Sequence, residues 1–196
     1  MKSKMINSCG IDEVGRGALA GPLVVACVSF HNYAKIPLGI RDSKAISFNL
    51  RSILYKEIIK SAFIGISIIS SVTIDKVGIN KATEKAALDS FKKVKRNLNY
   101  IFLDGNIKPD INTKYANIPK GDSNFVSIAA ASIVAKCIRD KIMLDLSKII
   151  NNYGWVTNVG YGTKEHLLAI KKYGITKYHR RCYEPVKSMV KINELR

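Results

Sequence analysis

Residues 10–22, Gly-Ile-Asp-Glu-Val-Gly-Arg-Gly-Ala-Leu-Ala-Gly-Pro, constrain this chain more than any other segment. Two adjacent carboxylates, Asp12 and Glu13, follow an apolar stretch. Gly15, Gly17 and Gly21 come next, and Pro22 opens the β-branched run Leu23–Phe30, LVVACVSF. Glycine at this density followed by proline does not sustain a helix. The segment therefore predicts a strand, a turn with exposed backbone, and a second strand. A dinucleotide fold is excluded here. The glycines miss the G-x-G-x-x-G spacing by one residue, the acids would repel a pyrophosphate, and a strand follows where that motif needs a helix.

Paired acids need a cation to sit side by side, and glycine-flanked Arg16 offers backbone and charge to a phosphodiester. The chain carries 32 Lys and Arg against 15 Asp and Glu, a net charge of +17 on 196 residues, which supplies sequence-blind affinity for nucleic acid. An acidic pair in so basic a protein points to metal-dependent chemistry on nucleic acid. A disordered basic tail is excluded by the 47% hydrophobic content.

This length suits one hydrophobic core, and no repeat or linker interrupts it. A single domain is expected, with an α/β core over about residues 1–150 and a helical extension over about 151–196. Cys9, Cys27, Cys137 and Cys182 lack the spacing of a zinc or disulfide framework. No run approaches the ~18 apolar residues of a membrane span. A cytoplasmic protein with no membrane partner is expected, and nothing suggests a dimer seam, so a monomer is expected too.

Periodicity places strands at 9–11, 23–30, 62–70, 100–103 and 114–118. Helices are expected over 48–60 and over 74–97, the latter with Ala82, Ala86, Ala87 and Phe91 on its apolar stripe. A long helix is expected from 123 to about 150, then a glycine-containing loop over 154–162, a helix to Lys172 capped by Thr163, and a last helix near Pro185. This order predicts a layered α/β domain with a helical C-terminal portion.

Asp12 and Glu13 close the first strand and Asp104 closes a later one, so the topology of α/β sheets places them on one edge. Asp122 precedes the long helix, where a carboxylate is stabilised. Four such acids suit a divalent-cation cage. Mg²⁺ and Mn²⁺ take hard oxygen ligands, and two ions roughly 4 Å apart clamp a phosphodiester. Taken singly, Asp104 and Asp122 also read as turn or cap residues.

The blocks GIDEVGRGALAGP, DSK (42–44), LDG (103–105), GDS (121–123), IAAASIVAK (128–136) with Arg139-Asp140, and GYGTKEH (160–166) occur in the order found in type 2 ribonucleases H. From Gly10 to about Tyr183 the chain resembles ribonuclease HII. The resemblance implies a ribonuclease H-like mixed sheet flanked by helices. It also implies cleavage of the RNA strand of RNA/DNA hybrids and of ribonucleotides embedded in duplex DNA. The cut would fall on the 5′ side of the ribonucleotide and leave 3′-hydroxyl and 5′-phosphate ends. It implies Asp12, Glu13, Asp104 and Asp122 as the catalytic metal ligands for Mn²⁺ or Mg²⁺, with two ions during catalysis. Gly15-Arg16-Gly17 would read the ribose 2′-hydroxyl through the backbone, and Tyr161 would pack on the sugar after the ribonucleotide. The chemistry agrees: the 2′-hydroxyl distinguishes RNA from DNA, glycine permits close approach, and an aromatic flanked by Gly160 and Gly162 can stack.

Ser132, Lys136 and Arg139 share one face of the long helix and, with Lys44 and His179, are candidate phosphate contacts; a solvated basic face is the alternative. His31 has no assigned role and His166 is expected to be structural. Ala129, Ala130 and Ala131 are expected to permit close helix–sheet packing.

Two departures from the family stand out. His179-Arg180-Arg181-Cys182-Tyr183 replaces the usual His-Arg-x-Ser-Phe, and Val14 replaces a common alanine. The related ribonuclease HIII branch carries an N-terminal domain and lacks the Gly-Arg-Gly triplet, so the HII branch is expected. A non-catalytic nucleic-acid binder is disfavoured by the four acids, and a small-ester phosphohydrolase by the charge.

Overall fold

Apolar residues recur in short β-branched runs between helical segments, and these runs pair as one mixed sheet. The computed structural model describes residues 7–41, 43, 45–94 and 96–189. Asp42 and Lys44 of the DSK block therefore lie outside the described residues, Lys44 being one of the expected phosphate contacts.

The strands are β1 (Ser8–Val14), β2 (Leu23–Phe30), β3 (Ala62–Ile69), β4 (Tyr100–Asp104) and β5 (Tyr115–Ile118), in the order β3-β2-β1-β4-β5. β1 runs antiparallel to β2 and parallel to β4, and β4 runs parallel to β5. Every residue of β2 is buried, as a run apolar on both faces requires. The helices are α1 (Phe48–Ser61), α2 (Ser71–Val77), α3 (Ile79–Lys92), α4 (Val126–Ile149), α5 (Trp155–Asn158) and α6 (Lys164–Tyr173). Ser47, Ser70 and Thr163 cap α1, α2 and α6 through their side-chain oxygens. Among the described residues no helix is long and apolar enough to cross a membrane.

Four boundaries differ from expectation. β1 continues through Asp12 and Glu13, because β2 goes on pairing with them, Asp12 with Ala26 and Glu13 with Val25. The expected helix over 74–97 is two helices. Gly78, at φ 79°, ends α2 by donating its N–H to the Ile74 carbonyl, a stop that glycine makes without strain. The loop after Gly154 contains the single turn α5. α4 begins at Val126 and not at 123, so Asp122 lies in a separate 3-10 turn, Gly121–Ser123, ahead of it.

The chain divides into two compact units. The first comprises Met1–Val14, Val24–Ile68 and Thr83–Cys137; the second comprises Gly15–Leu23, Ile69–Ala82 and Ile138–Arg196. In the first unit α4 rests directly on the sheet at Gly10. A Cβ there would lie 2.2 Å from the Ser127 carbonyl carbon. Ala129, Ala130 and Ala131 are buried in the same stretch of α4, as expected for close packing. In the second unit Leu19, Ala20, Met143, Tyr153, Trp155, Ala169, Ile170 and Val186 form the core.

Candidate active site

The ladder that aligns β1 with β4 also aligns the acids. Ile11 pairs with Leu103, so Asp12 and Asp104 occupy the next positions on neighbouring parallel strands. Asp12 is 5% exposed and its Oδ1 accepts the Glu13 N–H at 2.7 Å. Burial raises its carboxyl well above the usual range, the Glu13 charge raises it further, and Asp104 adds to this; a Ser132 hydrogen bond and the Glu13 amide oppose the rise. Asp104 Oδ1 accepts the Gly121 N–H at 2.7 Å, which fixes the backbone bearing buried Asp122. A Cβ at Gly121 would sit 2.5 Å from Ile128 Cδ1, so a larger residue there would have to shift that side chain.

The strand register and this hydrogen bond therefore bring Asp12, Asp104 and the backbone of Asp122 to one sheet edge. Among the described residues no three His, Cys, Asp or Glu side chains form a metal-holding group.

Ser132 belongs with these acids. Its hydroxyl donates to Asp12, and it stands 2.9 Å from the hydroxyl of Ser43, whose carbonyl accepts Arg51 Nη1 at 2.7 Å. Buried Ser132 thus orients a carboxylate, which corrects its expected role as a phosphate contact. Lys136 is half-buried on α4.

The second unit holds the Gly-Arg-Gly segment. Arg139 is fully buried and gives its donors to carbonyls: Nε to Pro22 at 2.9 Å, Nη1 to Val159 at 2.9 Å and Nη2 to Ala20 at 3.1 Å. Arg180, also fully buried, binds the Gly21 carbonyl through Nε and Nη2 and the Arg16 carbonyl through Nη1 at 2.8 Å. Burial lowers the Arg139 guanidinium to about 10, with Tyr161 opposing and Arg180 adding to the drop; it remains charged at neutral pH. Arg139 is therefore not a phosphate contact. It and Arg180 together hold the carbonyls of Arg16, Ala20, Gly21 and Pro22.

Gly15, at φ 92°, is required beneath Arg139, because a Cβ would fall 2.1 Å from its Nε. Gly17 has open space where a Cβ would stand. The Gly160 carbonyl accepts the Leu19 and Ala20 N–H groups, and Tyr161 follows, 36% exposed with its ring 5.4 Å from the Arg139 guanidinium. The structure thus groups Gly15, Arg16, Gly17, Arg139 and Tyr161. Arg180 and Tyr183 join them, two residues that the sequence marks only as part of a C-terminal block departing from the family pattern.

His179 is buried too, and its role as a phosphate contact is corrected. Trp155 Nε1 donates to His166 Nε2 at 3.1 Å, and His166 Nδ1 lies 2.9 Å from the Tyr161 carbonyl, so Nδ1 of His166 carries the proton. The Thr176 N–H donates to His179 Nδ1 at 2.9 Å, leaving His179 Nε2 to donate to His166 Nε2 at 3.2 Å. When both rings are neutral each unprotonated nitrogen has a donor, and the single lone pair of His166 Nε2 is shared between Trp155 and His179. Burial, then the neighbouring His166, lowers His179 to about 4, and burial lowers His166.

The histidine contribution to stability is therefore expected to be complete above pH 6.5, the unfolded value, and to fall as the pH drops through 6.5 toward 4. His179 accounts for about 3 kcal/mol of the loss. Urea unfolding of wild type and His179→Gln between pH 7 and pH 4.5 checks this. Asp12 contributes equally to both proteins, so the narrowing gap between them isolates the histidine.

Comparison with known proteins agrees with this fold. Ribonuclease H2 from Pyrococcus horikoshii OT3 superimposes with a TM-score of 0.83 at 20% identity, over 96% of this chain and 99% of that one. The ribonuclease HII of the PCNA:RNase HII complex from Archaeoglobus fulgidus gives 0.78 at 24% identity, over 90% and 95%. Bst-RNase HIII in complex with Mn²⁺ gives 0.71 at 21% identity, over 96% of this chain and 70% of that one. These likenesses establish the ribonuclease H-like fold. The family model for ribonuclease HII matches residues 9–186, and the chain belongs to that family of ribonuclease H hydrolases.

Proposed function

We propose that this protein is a divalent-metal-dependent endonuclease that cuts the RNA strand of RNA/DNA hybrids and nicks duplex DNA on the 5′ side of an embedded ribonucleotide. The ends left would be 3′-hydroxyl and 5′-phosphate. The observation that carries this is Asp12, buried on the sheet edge with its carboxyl raised by its own desolvation and by the charges of Glu13 and Asp104. Such a group is destabilised as an anion until a cation arrives, and its donors are hard oxygens, which fits Mg²⁺ or Mn²⁺. The Mn²⁺ bound by Bst-RNase HIII supports the same choice.

Asp12, Glu13, Asp104 and Asp122 would hold the metal. When bound, divalent cations supply charge neutralisation at a phosphodiester and activation of water. The chain supplies the rest. Ser132 fixes the Asp12 carboxylate, and the Gly121 N–H fixes that of Asp104. The Gly15-Arg16-Gly17 backbone would accept the ribose, with its Arg16 carbonyl held by Arg180 and the Ala20 carbonyl beyond it held by Arg139. Tyr161, braced by Arg139, would pack on the following sugar.

A duplex DNA bearing one ribonucleotide tests this. The expected product is a single nick 5′ of that residue, formed with Mg²⁺ or Mn²⁺ and not with EDTA. An uncut duplex under all metal conditions would overturn the proposal.

A further inference from the structure

The carbonyl of Arg16 is held twice. Tyr183 Oη donates to it at 2.7 Å and Arg180 Nη1 at 2.8 Å, so both oxygen lone pairs are engaged. Arg180 Nη1 also lies 3.3 Å from Tyr183 Oη, and its guanidinium stands 5.1 Å over the Tyr183 ring. The segment bearing both residues is anchored in turn. The Asp75 carboxylate on α2 accepts the N–H groups of Arg181 and Cys182, each at 3.0 Å.

A trans peptide is planar, with its N–H directed opposite to its C=O. Holding the Arg16 carbonyl toward Tyr183 and Arg180 therefore directs the Gly17 N–H away from them. A Cβ built on Gly17 would meet nothing within 4 Å. Arg180 shares its guanidinium with the Gly21 carbonyl, whereas the Tyr183 hydroxyl is aimed at the Arg16 carbonyl.

We infer that Tyr183 is a positioning residue: its hydroxyl fixes the Arg16–Gly17 peptide and so aims the Gly17 N–H at the ribose 2′-hydroxyl. This rests on the function proposed above. The effect acts on discrimination between ribose and deoxyribose, and leaves general affinity for duplex to the basic surface.

Tyr183→Phe removes the hydroxyl and keeps the ring on Arg180. Anisotropy titrations in EDTA would compare a duplex with one ribonucleotide against the all-DNA duplex of the same sequence. The variant is expected to bind the first about three- to tenfold more weakly and the second unchanged, the range of one hydrogen bond. In the metal-loaded protein the loss should appear in KM and leave kcat close to wild type. Amide exchange over residues 15–17 of the free protein should quicken, with the melting temperature nearly kept.

Equal weakening on both duplexes, or an unchanged ratio in a wild type that does discriminate, overturns the role of Tyr183 alone. A wild type that binds both duplexes alike overturns the 2′-hydroxyl role of Tyr183, whereas a duplex left uncut with Mg²⁺ or Mn²⁺ overturns the proposed function itself.

Discussion

Asp12→Asn is expected to melt at a higher temperature than the wild type in metal-free buffer at neutral pH, and to cut a ribonucleotide-bearing duplex on the order of 10³-fold more slowly. The two effects share one cause. The wild-type carboxyl is raised by burial, by Glu13 and by Asp104, so ionising it opposes folding. Asparagine keeps the oxygen that accepts the Glu13 N–H and can still meet Ser132, but it has no charge to bury.

The sign follows from linkage. A folded value above the unfolded one makes the contribution of Asp12 to stability full below the ordinary carboxylate range, and that contribution is lost as the pH rises through the folded value. The stability gap between variant and wild type should therefore vanish in acid and widen toward neutral pH. Mg²⁺ or Mn²⁺ should raise the melting temperature of the wild type and leave that of the variant nearly unchanged. Calorimetry at three pH values, with and without metal, checks all of this. A variant less stable than wild type at pH 7 without metal would show that the carboxylate is not under strain from its neighbours.

The acids were legible because their signal is local. Asp12 and Glu13 are adjacent, and Asp104-Gly105-Asn106 announces a strand end, so their meeting needed only the topology of an α/β sheet. Gly15 and Gly17 were legible for a similar reason, since their backbone freedom is written in the residue itself. Arg139 and Arg180 were not. Each is one of 32 basic residues, and what buries them is a set of carbonyls more than a hundred residues away, at positions 16–22. A carbonyl leaves no mark on the sequence.

His179 was misread for a related reason. Its Tyr-His-Arg-Arg setting looks like a basic surface, yet Trp155, His166 and Thr176 close around it. The break at Gly78 was hidden because the apolar stripe continues in phase on both sides. Positive charge in this chain thus has two uses, solvated on the surface and buried as a scaffold for backbone, and composition cannot separate them.

Gly10→Ala is expected to cost at least about 3 kcal/mol of stability, enough to leave much of the protein unfolded or aggregated when expressed at 37 °C. The added Cβ would stand 2.2 Å from the Ser127 carbonyl carbon, 2.3 Å from the Ile128 nitrogen and 2.5 Å from the Ser127 oxygen. All three are backbone atoms of α4, so no side-chain rotation relieves the clash. Either α4 lifts from β1 or β1 bows away from α4. Both responses break packing around Ile11, Ile128 and Ala131, which are all buried. They also separate Asp12, two residues beyond Gly10, from Ser132, one turn beyond Ile128. Protein recovered at low temperature should therefore show a reduced urea midpoint and a disproportionate loss of cutting. Gly17→Ala supplies the contrast. Its Cβ meets nothing within 4 Å, so its urea midpoint should stay near wild type. Equal midpoints for Gly10→Ala and wild type would mean that α4 does not rest on the sheet at this glycine.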